Sequence, residues 1–321
     1  MLSRRHLRTK VLQIVYAFIL SDSQDLAAGE KQLLKSIDKL YELYIAQLSL
    51  LLELADFARK RHEGGKKKYF PTQEDLNPNT KFVNNKIIID LEANKHYRKL
   101  LGKYKISWAD EQDMVRKLYI EVKESGFFQK YLDSDDSDFE DDREVLIKIF
   151  KKVISRYEYL EQYYEDKSVF WSFEDFYTSN MMAIKTLKQW KETDGPEQPL
   201  PEIFKTTNDV DNEDRSFMLE LFRKSIIHHK EYKNLIAEKA KNWELDRIAI
   251  MDILLINLAL TEFVDFPSIP VKVTLNEYIE ISKYYSSAKS KVFINGILDK
   301  LMADLKAEDK INKMGRGLLE G

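Results

Sequence analysis

The chain has 321 residues, 44% of them hydrophobic and 33% charged, with a formal net charge of −3. The absence of cysteine excludes disulfides, thiolate nucleophiles and cysteine-based zinc sites, and the near-neutral balance excludes a global positive field, so any nucleic-acid site must be a local patch. With only 10 Gly and 7 Pro beside so many charges, helices with solvated faces are expected rather than sheets, which need more turn residues.

Leu7, Val11, Ile14, Val15 and Phe18 repeat at helical spacing and predict an opening amphipathic helix. Gln13 breaks the apolar run that follows the N-terminal charges, and Ser-Asp-Ser-Gln ends it, so no signal peptide is expected. After a polar break at 21–29, a long helix is predicted over 30–61, with Leu33, Ile37, Leu40, Leu43 and Tyr44 on one face. Gly-Gly, three lysines and two prolines make 62–78 a loop. Helical patterns follow at 84–101, 108–124, 143–164 and 173–190. The acidic run from Asp133 to Asp142 reads as a solvated loop whose acids start the next helix. An EF-hand is excluded there, because the required Gly and Glu positions do not fit. The aromatic residues between Tyr157 and Tyr177 suit a core of their own or a partner site.

Gly195, Pro196, Pro199 and Pro201 mark a linker over 193–201. Beyond it, helices are predicted at 211–242, 245–264, 275–285 and 288–305, with Pro267 and Pro270 between the second and third. The tail from Asp309 is expected to fray. The longest apolar stretch, Ile248 to Leu260, contains Asp252 and Asn257 and is too short and polar to span a bilayer.

Two segments break local rules. Arg4, Arg5 and Arg8 lie on one side of the first helical turns, with His6 and Lys10 adding positive charge. Cations at a helix N-terminus oppose the macrodipole at about 0.3–1 kcal/mol each. Such an end suits phosphate, although a solvated basic start is the commoner explanation of these residues alone. In the last helix, Ile294, Ile297, Leu298, Leu301 and Leu305 form an apolar stripe, and Phe293 falls about 100° from its centre. It shares that side with Lys289, Gly296 and Lys300. An aromatic ring beside lysines suits base stacking. Packing on a neighbouring helix, with Gly296 allowing its approach, explains the same residues equally well.

These segments also carry a family resemblance. Arg4-Arg5-His6-Leu7-Arg8 followed by Val11-Leu12-Gln13-Ile14-Val15-Tyr16-Ala17 resembles the opening of NusB proteins. Trp243-Glu244-Leu245-Asp246-Arg247, Leu258-Ala259-Leu260-Thr261-Glu262-Phe263, Leu275-Asn276-Glu277, Glu280-Ile281-Ser282-Lys283 and Phe293-Ile294-Asn295-Gly296-Ile297-Leu298-Asp299-Lys300 resemble that family's elements in order and spacing. The resemblance covers about residues 1–25 and 210–306. Asn257 departs from it, standing where the family usually has Arg, so an ion pair with Asp252 is expected to be missing. Thr261 replaces the usual Tyr.

The resemblance implies an all-α fold, a NusB-like pair of helical bundles with a long helical insertion in the N-terminal half. The expected divisions are 1–62 for the N-terminal helices, 63–205 for the insertion, 206–306 for the C-terminal helices and 307–321 for the tail. It implies a cytoplasmic transcription antitermination factor that binds boxA-type single-stranded nascent RNA together with NusE, a small-subunit ribosomal protein, on the RNA polymerase elongation complex, promoting ribosomal RNA synthesis. Carried over, Arg4, Arg5, Arg8, Gln13, Lys289 and Phe293 would contact RNA. Asp246 and Glu262 would face NusE, although for Glu262, as for Asn276, Glu277 and Asn295, helix-joining hydrogen bonds are the favoured role. Catalysis, a metal, a cofactor and a membrane are not expected. A NusB-like domain also precedes some ribosomal RNA cytosine methyltransferases, but those need a nucleophilic Cys and a Gly-rich cofactor loop. Two other functions stay open: a helical interaction scaffold acting through the insertion, and an RNA-recognition module of a ribosomal RNA modification system.

Overall fold

The computed structural model describes residues 2–134, 138–204, 213–240 and 248–318. In chain order its helices are α1 (Arg4–Leu20), α2 (Leu26–Lys66), α3 (Gln73–Leu76), α4 (Lys86–Ala93), α5 (Lys95–Tyr104), α6 (Gln112–Glu124), α7 (Gly126–Asp133), α8 (Phe139–Lys152), α9 (Glu158–Lys167), α10 (Phe173–Gln189), α11 (Glu213–Ile227), α12 (His229–Lys239), α13 (Ile250–Asp265), α14 (Val271–Tyr285) and α15 (Ala288–Ala307). Short 3-10 turns occur at Ala109–Glu111, Ile154–Arg156 and Gly315–Leu318. The fold is all-α, as expected.

The chain forms two compact units, Met1–Ile37 with Phe204–Gly321, and Asp38–Ile203. The division falls inside α2, not after residue 62, where the turn residues suggested it. One uninterrupted helix carries the chain across the boundary, so no Gly or Pro marks it. The start of the C-terminal helices at 206 lies outside the described residues.

In the first unit α13 is the centre, touching α1, α11, α12, α14 and α15. Every residue from Leu254 to Phe263 is buried, as expected for a helix surrounded on all sides. The predicted 211–242 helix is two helices, α11 and α12. Asn257 donates to the Ser225 carbonyl at 3.0 Å and lies 3.2 Å from His229 Nδ1. The side chain thus satisfies a carbonyl that the break between the helices leaves open. Asp252 accepts from the Ser286 hydroxyl instead of pairing with residue 257.

The second unit packs α8 against α4, α7 and α10. Predicted long helices are again divided. Asn94 ends α4 and caps α5, accepting from Tyr97 N–H at 2.8 Å. Asp138 caps α8, with Glu140, Asp141 and Asp142 in its first turn. The acidic run therefore starts a helix where it is described. Trp108, Tyr164, Trp171 and Phe176 form an aromatic cluster with ring centroids 5.6–6.3 Å apart. Part of the aromatic content between Tyr157 and Tyr177 is therefore core, while Tyr159, Phe173 and Tyr177 stay exposed.

Candidate nucleic-acid interface

Ser3 caps α1: its hydroxyl accepts from His6 N–H, and His6 Nδ1 accepts from Ser3 N–H. No acid occupies the first turn. The three arginines instead reach carboxylates from other helices. Arg4 lies 3.4 Å from both Glu213 and Asp214. Arg5 donates to both oxygens of Glu277 at 2.8 and 2.9 Å. Arg8 donates to both oxygens of Glu262 at 2.5 and 2.9 Å. Carboxylates brought by the tertiary fold thus balance the cations that oppose the helix dipole.

The arginines differ in burial. The Arg5 side chain is 46% exposed and that of Arg4 is 39% exposed, whereas Arg8 is buried. Glu262, fully buried, also accepts from Thr274 at 3.0 Å and Tyr278 at 2.8 Å. The buried carboxylate is therefore saturated with donors, the condition under which a charge tolerates the interior. Burial lowers the pKa of Arg8, but Glu262 outweighs it and the net shift is upward. Glu277 raises that of Arg5.

The expected roles of two residues change accordingly. Arg8 is buried with its guanidinium held by Glu262, which points to a positioning role at the edge of the cleft. Glu262 has no surface for a partner; it joins α1, α13 and α14, as favoured from sequence. Asp246 lies outside the described residues.

Phe293 is 4% exposed, so its ring is not a free stacking surface. The apolar stripe placed it off the core face, but α15 packs on α12, α13 and α14, and three neighbours bury a wider arc than one stripe indicates. A Cβ at Gly296 would meet nothing within 4 Å. Close approach of another helix therefore does not explain this glycine. Lys289, Gly296 and Lys300 are exposed around the buried ring. Gln13 donates to the Tyr285 hydroxyl at 2.7 Å, tying α1 to the end of α14.

The structure adds a residue that the sequence pattern missed. As far as residue 318 the tail is packed rather than frayed: Asp309, at φ 52°, ends α15 in the left-handed conformation. Asp309 N–H donates to Lys306 and Lys310 N–H to Leu305, the paired bonds of a Schellman turn. The chain returns along the end of α13, where Lys313 donates to the carbonyls of Glu262 and Phe266 at 3.0 and 2.9 Å. Met314 N–H donates to the Pro267 carbonyl at 3.0 Å. A Cβ on Gly317 would lie 1.9 Å from that same oxygen, and Gly315 has φ +54°. Only glycines suit both places, and between them they hold Arg316. A cleft of about 670 Å³ results, lined by Arg4, Arg5, Ile269, Glu277 and Arg316 among others. Arg316 is exposed and has no ion pair among the described residues. Gly315-Arg316-Gly317 was the available signal.

Among the described residues no group of His, Asp and Glu could hold a metal ion, and no helix is long and apolar enough to cross a membrane. The NusB family model matches residues 177–303, starting within α10 and leaving α1 outside the match. The Salinibacter ruber protein named "Transcription antitermination protein NusB" is 39% identical over 138 residues, covering 43% of this chain and 86% of that protein.

The chain belongs to the NusB family.

Two further proteins bearing the same name match shorter parts. That of Chloroherpeton thalassium is 39% identical over 33% of this chain and 50% of its own length. That of Koribacter versatilis is 38% identical over 32% of this chain and 70% of its own. No solved structure matches. The basic cleft brings α1 and the returned tail together with the start of α14.

Proposed function

We propose that this chain is a transcription antitermination factor that binds boxA-type nascent RNA together with NusE and promotes ribosomal RNA transcription. Family membership and the names of its relatives support the reading. The observation that carries it to a site is the cleft in which Arg316, without an ion pair among the described residues, stands beside the half-exposed Arg4 and Arg5. Surface ion pairs contribute only about 0–1 kcal/mol, so a phosphate can compete with Glu277 or Glu213 for a bidentate guanidinium. Arg8 has a positioning role, fixing the start of α1 through Glu262. Exposed Lys289 supplies a further phosphate contact, and Gln13 holds α1 to the end of α14, ahead of α15. The reading places the protein in the cytoplasm and makes it a binder without catalytic activity.

The test is binding of boxA-like and scrambled RNA by the purified chain, with and without NusE. Preference for boxA, strengthening with NusE and weakening with salt are expected. Equal weak binding to both RNAs would sink the reading. Arg5→Ala and Arg316→Ala should each flatten the salt dependence by a log–log slope of about 0.7, the loss of one single-strand phosphate contact. An unchanged slope removes that arginine from the site.

A further inference from the structure

We propose that the loop Lys66–Phe70, at the end of α2, is a second binding site, for single-stranded RNA. It lies in the insertion, for which the family resemblance supplies no function. Tyr69 and Phe70 are 90% and 83% exposed. Their rings meet edge to face, with centroids 4.8 Å apart and planes at 87°. Single exposed apolar side chains are ordinary. Two adjacent rings directed into solvent behind three consecutive lysines are a concentrated feature.

The charge around the rings matches a polyanion. Lys66 and Lys67 are exposed and make no ion pair among the described residues. Lys68 is held by Asp75 at 2.7 and 2.9 Å, and that bond anchors the loop's base. Arg61, His62 and Lys123 line a cleft beside it together with Glu74, which holds Lys123 at 2.6 Å. Burial, then the charges of Lys123 and Arg61, with Lys66 adding, hold His62 below the usual imidazole range. Arg61, Lys66, Lys67, Lys68 and Lys123 outnumber the neighbouring acids Glu63, Glu74 and Asp75, although the chain as a whole is slightly acidic.

Perpendicular rings with cations alongside suit unstacked bases, because each ring offers a face to one base while the lysines neutralise neighbouring phosphates. Binding to a bilayer or to a hydrophobic protein groove scales with the apolar area buried, and residues 64–73 add no Leu, Ile, Val or Met to the two rings. The choice of RNA over another polyanion rests on the antitermination reading.

The experiment measures oligouridylate binding by the full chain, beside boxA-like RNA. Tyr69→Ala/Phe70→Ala should weaken oligouridylate binding at least about tenfold. Lys66→Ala/Lys67→Ala should flatten its log–log salt slope by about 1.4. Circular dichroism and Tm should be unchanged in both, since the altered side chains are exposed. Wild-type oligouridylate affinity in both variants, with boxA preference intact, overturns the inference and leaves the antitermination reading standing. Loss of boxA preference, with oligouridylate still held through Tyr69 and Phe70, sinks that reading and supports the inference. Sedimentation with phosphatidylserine vesicles that requires the two rings, while oligouridylate binding does not, assigns the loop to a membrane surface and overturns the inference.

Discussion

Two phenylalanines with lysines close by end in opposite environments. Phe293, in the first unit, is 4% exposed, and Phe70, in the second, is 83% exposed. Their neighbourhoods in sequence look alike, each basic and each off an obvious core stripe. The difference is the number of elements packed around each. Phe293 lies on a helix packed against three others, whereas Phe70 follows the end of a helix in a loop with Tyr69 as its ring neighbour. Arginine shows the same contrast. Arg8 is sealed against Glu262, while Arg316 projects into a cleft without an ion pair among the described residues. A basic and aromatic neighbourhood therefore marks a candidate surface, and exposure decides whether it is one.

The sharpest way to break the comparison is to remove the sealed cation. Arg8→Ala leaves Glu262 charged, buried and short of donors, and should destabilise the fold by about 3–5 kcal/mol in urea unfolding. A loss within about 0.5 kcal/mol, the range of surface positions, would show that the pair is open to water. The phenylalanines follow. Phe293→Ala should cost about 3–5 kcal/mol and lower Tm, while Phe70→Ala should stay within about 0.5 kcal/mol. Equal effects would remove the contrast.

Gly296→Ala is a smaller change with the opposite sign. An exposed mid-helix glycine with empty space at its Cβ should yield about 0.5–1 kcal/mol of stability when replaced. Weaker boxA binding in the same stabilised variant would indicate that RNA approaches this backbone closely. The last effect concerns the returned tail and is read as a change with pH. Burial pushes Lys313 down to about 8 from the usual 10.5, so the folded chain holds this proton less tightly than the unfolded chain does. Between those pH values the unfolded state binds more protons, and stability should rise with pH relative to Lys313→Met. Parallel curves for the two proteins would mean that the tail leaves Lys313 in water.

Much of the helical framework was legible because it depends on local periodicity. The stripes of α1 and α15 and the apolar run of α13 follow from apolar spacing, and the acid run before an apolar one announced the start of α8, which falls at Phe139 rather than at 143. Missed divisions at Asn94 and His228 contain neither Gly nor Pro. Asn94 caps the next helix, and distant Asn257 satisfies a carbonyl at the other break. The candidate site was legible only in outline. Arg4 and Arg5 were found by their clash with the helix dipole, but their carboxylate partners are more than 200 residues away.

The sequence by itself determined the all-helical class, the family motifs and the basic character of the first turn, since each is written in residue type and short spacing. Tertiary structure alone decided which of those residues remain available. It buried Arg8, because Glu262 comes from a distant part of the chain, and Phe293, because its helix packs against three others. It also carried Arg316 to the N-terminal cleft, because a Schellman turn, Lys313 on the end of α13 and two glycines bring the tail back. Local pattern cannot specify such outcomes, since burial and ion pairing depend on what the rest of the chain places alongside.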